Sequence, residues 1–205
     1  MVLGLLILFH AVANVLWLQQ DGRSLYGDTG NHARASMAIF QALRDPGPEL
    51  LMRINQATTF WPPVGYLLTQ PLYALLGVSS DVTSFTTTLW FALAIVGVYL
   101  IGRRLYDWRT GLLAAFIFSF YPAIYLQSRT YYVDMALTAL VLITLICLLR
   151  TEDFSRRRAS LLFGLALGVA ALTKNAFIIM TIGPLLVVVA RALLANGRAA
   201  GRQLL

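Results

Sequence analysis

The sequence predicts an all-α protein, a polytopic transmembrane helical bundle of about six spans with a large outer loop that contains juxtamembrane helices. Three observations predict it. Of 205 residues, 59% are hydrophobic and 12% charged, and the mean hydropathy is +0.72, outside the balance of a soluble domain. The apolar residues gather in blocks of about 16 to 20, which at about 1.5 Å per residue approach a hydrocarbon core of roughly 30 Å. The arginines fall in short clusters between those blocks.

The blocks cover residues 1–18, 60–78, 82–101, 110–126, 134–149, 159–173 and 176–194, seven in all. Cationic loops belong on the cytoplasmic side of a membrane. Arg103, Arg104 and Arg109 form one such loop, Arg150 with Arg156, Arg157 and Arg158 a second, and Arg191, Arg198 and Arg202 a third. Placing all three inside puts residues 129–133 and 174–175 outside and makes block 82–101 run inward. Segment 19–81 must then begin and end outside, so block 60–78 should not cross. Pro62, Pro63 and Pro71 interrupt that block, and Thr69 and Gln70 need partners that lipid does not supply. An interfacial or re-entrant helix fits. The expectation is an inside N-terminus, one transmembrane domain over 1–205 and an outer catalytic loop over 19–81. A seventh span with a broken charge pattern is the alternative.

Residues 1–18 lack the basic start and small-residue cleavage site of a signal peptide and read as a first span. The abrupt apolar start and the ending at Gly201-Arg202-Gln203-Leu204-Leu205 are expected of a piece of a longer protein. In the outer segment, 31–43 reads as a surface-lying helix after a turn-like Tyr26-Gly27-Asp28-Thr29-Gly30. Ala33, Met37, Ile39 and Phe40 give it an incomplete apolar face. Arg44-Asp45-Pro46-Gly47-Pro48 ends it. The net charge of +7 does not form the aromatic-interleaved stripe that nucleic acid requires, so no nucleic-acid partner is expected. The single cysteine, Cys147, excludes disulfides and Cys-based metal sites within the chain.

Charge near hydrocarbon is costly, so the few ionisable residues outside the basic loops are the candidates for chemistry. Asp28 stands four residues before His32. On a helix that spacing places a general-base carboxylate and an orienting imidazole on one face; alternatively Asp28 caps the helix. Arg129 and Asp134 flank the junction before block 134–149, where Asp134 could cap the helix and Arg129 face an anion, or the two could pair. Lys174 is an isolated outer cation, a phosphate ligand or a snorkelling side chain. His10 and Asn14, one turn apart in the first span, read as helix-to-helix contacts.

The order of these features resembles the GT-C membrane glycosyltransferases, especially protein O-mannosyltransferases and lipid A aminoarabinose transferases. Gly27-Asp28-Thr29-Gly30-Asn31-His32 is similar to the acidic motif of that family's first outer loop, and Trp61-Pro62-Pro63-Val64-Gly65-Tyr66 to its Pro-Pro motif. Gln127-Ser128-Arg129 with Asp134 resembles its Ser-Arg…Asp element, and Gly164-Leu165-Ala166-Leu167-Gly168 running to Thr173-Lys174 its Gly-rich helix ending in lysine. The family commonly has an acidic pair where Asp28-Thr29 stands. Its aminoarabinose branch has an acid before Pro-Pro, associated with a metal, where Phe60-Trp61 stands; no metal ligand or other cofactor is therefore assigned.

The resemblance implies transfer of a sugar from a polyprenyl-phosphate carrier to a hydroxyl of a glycan, lipid or protein, on the periplasmic face of the inner membrane. It makes Asp28 the base and His32, Pro62, Pro63, Tyr66, Arg129, Asp134 and Lys174 the substrate-binding set. Arg129 and Lys174 then stabilise the leaving phosphate. The aromatics Phe60, Trp61, Tyr66 and Tyr73 could line a groove for the carrier tail, and are equally expected as an interfacial belt. The rival readings are a transporter or lipid-linked-sugar flippase, which needs polar residues near mid-membrane on several helices, and a non-catalytic assembly subunit.

Overall fold

The computed structural model describes residues 1–22, 25–58 and 61–203, with side chains through residue 195. Among the described residues there are eleven helices and no strand. The first, α1 (Val2–Gln20), is apolar and long enough to cross a membrane. Between α1 and the next long helix lie α2 (Gly27–Arg44), α3 (Leu50–Ala57), α4 (Val64–Leu67) and α5 (Thr69–Leu76). Two long apolar helices follow, α6 (Ser80–Leu105) and, after α7 (Trp108–Phe120) and α8 (Pro122–Gln127), α9 (Val133–Arg150). Then come α10 (Arg157–Ala171) and α11 (Phe177–Gln203), whose apolar part is Phe177–Ala195. Phe60 lies outside the described residues, as do the side chains of Arg198 and Arg202.

The architecture is the all-helical membrane bundle that the sequence predicts. Four helices, α1, α6, α9 and α11, are long and apolar enough to cross. The other two expected spans are shorter. Block 110–126 is divided because Pro122 lacks an N–H and disfavours helix at the preceding residue, and Tyr121 is extended at φ −62°, ψ 123°. At 13 and 15 residues, α7 and α10 reach about 20 and 22 Å. Among its described residues, block 60–78 holds the short apolar stretch Val64–Leu76, in which α4 and α5 meet at Leu68. Thr69 shares a 2.8 Å hydrogen bond with Tyr131, and the Gln70 amide nitrogen donates to the Tyr66 carbonyl at 2.9 Å and to Ser36 Oγ at 3.2 Å, while Gln70 Oε1 is buried without a partner.

The core lies along α6 and α9, around Phe91, Ile95, Ala136 and Leu137. Glycines bring the backbones of α6 and α7 together: a Cβ at Gly102 would stand 2.7 Å from Gly111 Cα, and one at Gly111 would stand 2.6 Å from the Tyr99 carbonyl oxygen. Asn14 knits α1 to the bundle, as expected, by donating to Thr88 Oγ1 at 3.1 Å and Ser128 Oγ at 3.0 Å. His10 is buried among Phe9, Phe91, Phe120 and Tyr125, and neither ring nitrogen has a hydrogen-bond partner.

A second, smaller core joins α2 and α4 to the start of α9 through Ala33, Ile39, Tyr66, Tyr131 and Val133. Its main element, α2, begins four residues before the expected start at 31. The expected turn Tyr26–Gly30 is its first turn, entered from extended Tyr26 with Gly27 at φ 58° and held by Thr29 Oγ1 donating to the Tyr26 carbonyl at 2.8 Å. Glycine adopts that φ without penalty, which is why a turn-like composition opens a helix.

Candidate active site

Because α2 starts at Gly27, Asp28 lies inside the helix and not at its cap, and His32 follows on the same face. The carboxylate Oδ2 stands 3.7 Å from His32 Nε2, too far for a hydrogen bond but close enough for electrostatic coupling. On the other side of the imidazole, Nδ1 is 2.8 Å from the Tyr66 hydroxyl. Asp28 is 64% exposed, whereas His32 and Tyr66 are buried.

Tyr66 is carried by α4 at the end of the Pro-Pro segment. Pro62 and Pro63 keep that segment out of helix until Val64, whose N–H donates to the Leu172 carbonyl at 3.1 Å. Next to it, a Cβ at Gly65 would meet Val133 Cγ1 at 3.2 Å and Thr173 Cγ2 at 3.4 Å, so glycine permits the close approach to the ends of α9 and α10. Across that contact Lys174 Nζ pairs with Asp134 Oδ1 at 2.7 Å and lies 4.7 Å from the centre of the Trp61 ring. Asp134 sits in the first turn of α9 without capping it; its carboxylate goes to Lys174 and not to Arg129. Tyr132 meets the His32 ring edge-on at 6.1 Å.

Burial lowers the His32 pKa; Asp28 and Asp134 oppose the shift and Lys174 adds to it, and the result stays below the ordinary value. Burial, then Tyr131 and Asp28, push Tyr66 well above the ordinary tyrosine range. At neutral pH the imidazole is therefore uncharged and the phenol protonated. A carboxylate only accepts, so the tautomer with its proton on Nε2, facing Asp28, is favoured, and Nδ1 then accepts from the Tyr66 O–H.

Asp28, His32, Trp61 and Tyr66 line a cavity of about 660 Å³ together with Asn31 and Arg34. Arg34 escaped sequence reasoning, although as a cation outside the basic loops it is open to the argument applied to Lys174. Its guanidinium donates to Asn31 Oδ1, and among the described residues no carboxylate pairs with it. Arg129 belongs to a different cluster: it donates to Asn14 Oδ1 at 2.8 Å and to the Tyr125 hydroxyl, and lies over the rings of Tyr125 and Trp17. Among the described residues no three His, Cys, Asp or Glu side chains converge as metal ligands.

The arrangement offers an exposed carboxylate, a neutral imidazole behind it and cations close by, a set suited to accepting a proton beside an anionic leaving group. Residues 61–200 match the family described as dolichyl-phosphate-mannose-protein mannosyltransferase. With the helical membrane bundle, that match defines a membrane glycosyltransferase of the GT-C type. The chain belongs to the dolichyl-phosphate-mannose-protein mannosyltransferase family. The matched range includes the Pro-Pro segment, Arg129, Asp134 and Lys174 but begins after Asp28 and His32, which join it through the His32–Tyr66 hydrogen bond. No curated protein and no solved structure matches the chain.

Proposed function

We propose that the protein transfers a sugar from a polyprenyl monophosphate carrier to an acceptor hydroxyl at the outer, periplasmic face of the membrane, with Asp28 as general base. The observation that carries this reading is the placement of Asp28 at an open cavity, 3.7 Å from a buried neutral imidazole that is itself fixed by Tyr66. The acceptor oxygen bonds to the anomeric carbon, its proton passes to the Asp28 carboxylate, and the bond from that carbon to the phosphate oxygen breaks with its electron pair on the phosphate. The leaving group is already a good anion, so it needs nearby positive charge more than protonation.

Lys174, reaching across Trp61, and Arg34 in the cavity wall supply that charge. Guanidinium suits a phosphate through its planar fork of donors. Asp134 aims the lysine. Arg129, held by Asn14 and Tyr125, fixes the loop that delivers Tyr131, Tyr132 and Asp134. Trp61, in the cavity wall, contributes apolar surface for the carrier's isoprenoid tail; Tyr73 is buried against Phe40 and Thr83 and takes no part in that wall.

The test is an assay of membranes containing the full-length protein with a panel of labelled polyprenyl-phosphate sugars. Asp28→Asn is expected to lower transfer by about 10²- to 10⁴-fold, the usual contribution of a general base, with donor binding retained. Transfer at the wild-type rate by this variant would remove Asp28 from the chemistry. Retention of donor affinity by Arg34→Ala/Lys174→Ala would remove the phosphate clamp.

A further inference from the structure

At the opposite end of α9 from Asp134 the structure holds a second, larger cavity, of about 990 Å³, between the C-terminal ends of α6 and α9 and the first turn of α10. The two sites are separated by most of α9, sixteen residues from Asp134 to Arg150, or about 24 Å along the helix. Six arginines line it: Arg103, Arg104, Arg150, Arg156, Arg157 and Arg158. They come from two clusters that are far apart in sequence, and the packing of α6, α9 and α10 gathers them around one space.

The charge there is not balanced. Glu152 reaches Arg156 at 2.8 Å and Arg104 at 3.4 Å, and Asp153 is taken by Arg191, outside the cavity, at 3.2 Å. Among the described residues Arg103, Arg150, Arg157 and Arg158 have no carboxylate partner. The turn bearing the two acids has Glu152, Asp153 and Phe154 in succession at φ 48°, 56° and 64°, a left-handed path that side chains disfavour. The acids thus come from a constrained turn that leaves four guanidiniums uncompensated. The first turn of α10 adds to the positive potential, since its N-cap, Arg156, offers no side-chain acceptor to the free amides.

The rest of the wall is apolar, formed by Leu100, Ile146, Leu149 and Leu162. An arginine rim over an aliphatic wall, at the end of a membrane-length helix, fits an amphiphile and not a small ion or a nucleic acid. We propose that this cavity is a binding site for an anionic membrane phospholipid, its phosphate held among Arg150, Arg157 and Arg158 and its acyl chain lying along the leucines and isoleucine. The site is separate from the proposed sugar-transfer centre and does not depend on that reading.

The experiment uses the full-length protein purified in mild detergent and measures retention of labelled phosphatidylglycerol and phosphatidylcholine through repeated washing. Phosphatidylglycerol is expected to be retained at least tenfold over phosphatidylcholine. Arg150→Gln/Arg157→Gln should lower that retention about fivefold or more, whereas Arg53→Gln, on α3 and outside the cavity, leaves it unchanged. Glu152→Gln, which frees Arg104 and Arg156, should raise it about twofold, and tests the site even where the double variant fails to fold. Equal retention of the two lipids, or no response to either cavity variant, overturns the proposal. Displacement of the lipid by millimolar glycerol 3-phosphate overturns it as well, since the site then takes a soluble phosphate and not a lipid.

Discussion

His32 governs the candidate site at the scale of single residues, because it connects the exposed carboxylate to the buried phenol. The Tyr66 O–H donating to Nδ1 stabilises the neutral ring, so Tyr66→Phe is expected to raise the His32 pKa. A hydrogen bond worth about 1 kcal/mol corresponds to roughly a fivefold loss in kcat. The acid limb of the pH profile should move to higher pH while KM changes little, and steady-state kinetics between pH 5 and 8 would check this. An unshifted profile would mean that the phenol does not hold the ring. The same depressed pKa has a consequence for stability. The unfolded imidazole, at about 6.5, takes up a proton before the folded one does, so folded-state stability is fully present above that pH and falls as the pH drops towards the lower folded value. His32→Gln should flatten that part of the melting-temperature profile.

Among the elements, the contrast between α1 and the α6–α7 pair shows which interactions hold the bundle. Asn14 satisfies partners on α6 and at Ser128, so Asn14→Leu strands buried polar groups at a cost of about 1–3 kcal/mol. His10 has no hydrogen bond to lose, and His10→Leu is expected to leave the melting temperature in detergent nearly unchanged. Gly111→Leu should be worse than either, because its Cβ would stand 2.6 Å from backbone oxygen and the helices must separate, with overpacking costs of about 1–3 kcal/mol or more. Thermal unfolding of the three variants would rank them. Four of the expected spans, α1, α6, α9 and α11, were legible in the sequence because hydrocarbon demands long apolar runs, and the i, i+4 pairing of Asp28 and His32 was legible because helix geometry fixes it. The start of α2 was not, since glycine serves turns and helix starts alike. Nor was the break at Tyr121, although Pro122 signals it. The His32–Tyr66 and Lys174–Asp134 contacts depend on elements 34 and 40 residues apart, whose docking no local pattern encodes.

At the scale of the whole molecule, α9 sets the two ends of the bundle apart. Its N-terminal turn carries Asp134 to Lys174, and its C-terminal turn carries Arg150 into the arginine cavity. The apolar residues between them are those of a helix long enough to cross, so the two clusters should face different compartments. The arginine loops predict that the cavity end is cytoplasmic and the Asp28 end extracytoplasmic. The single native cysteine makes this testable in a Cys147→Ala background. Glu49 and Arg157 are both exposed, the first just before α3 and the second at the cavity. In intact cells a membrane-impermeant maleimide should label Glu49→Cys at once and Arg157→Cys only after the membrane is opened. The reverse order would invert the topology and place sugar transfer on the cytoplasmic side. Labelling of both positions from outside would mean that α9 does not cross, and would dissolve the separation on which the two-site arrangement rests.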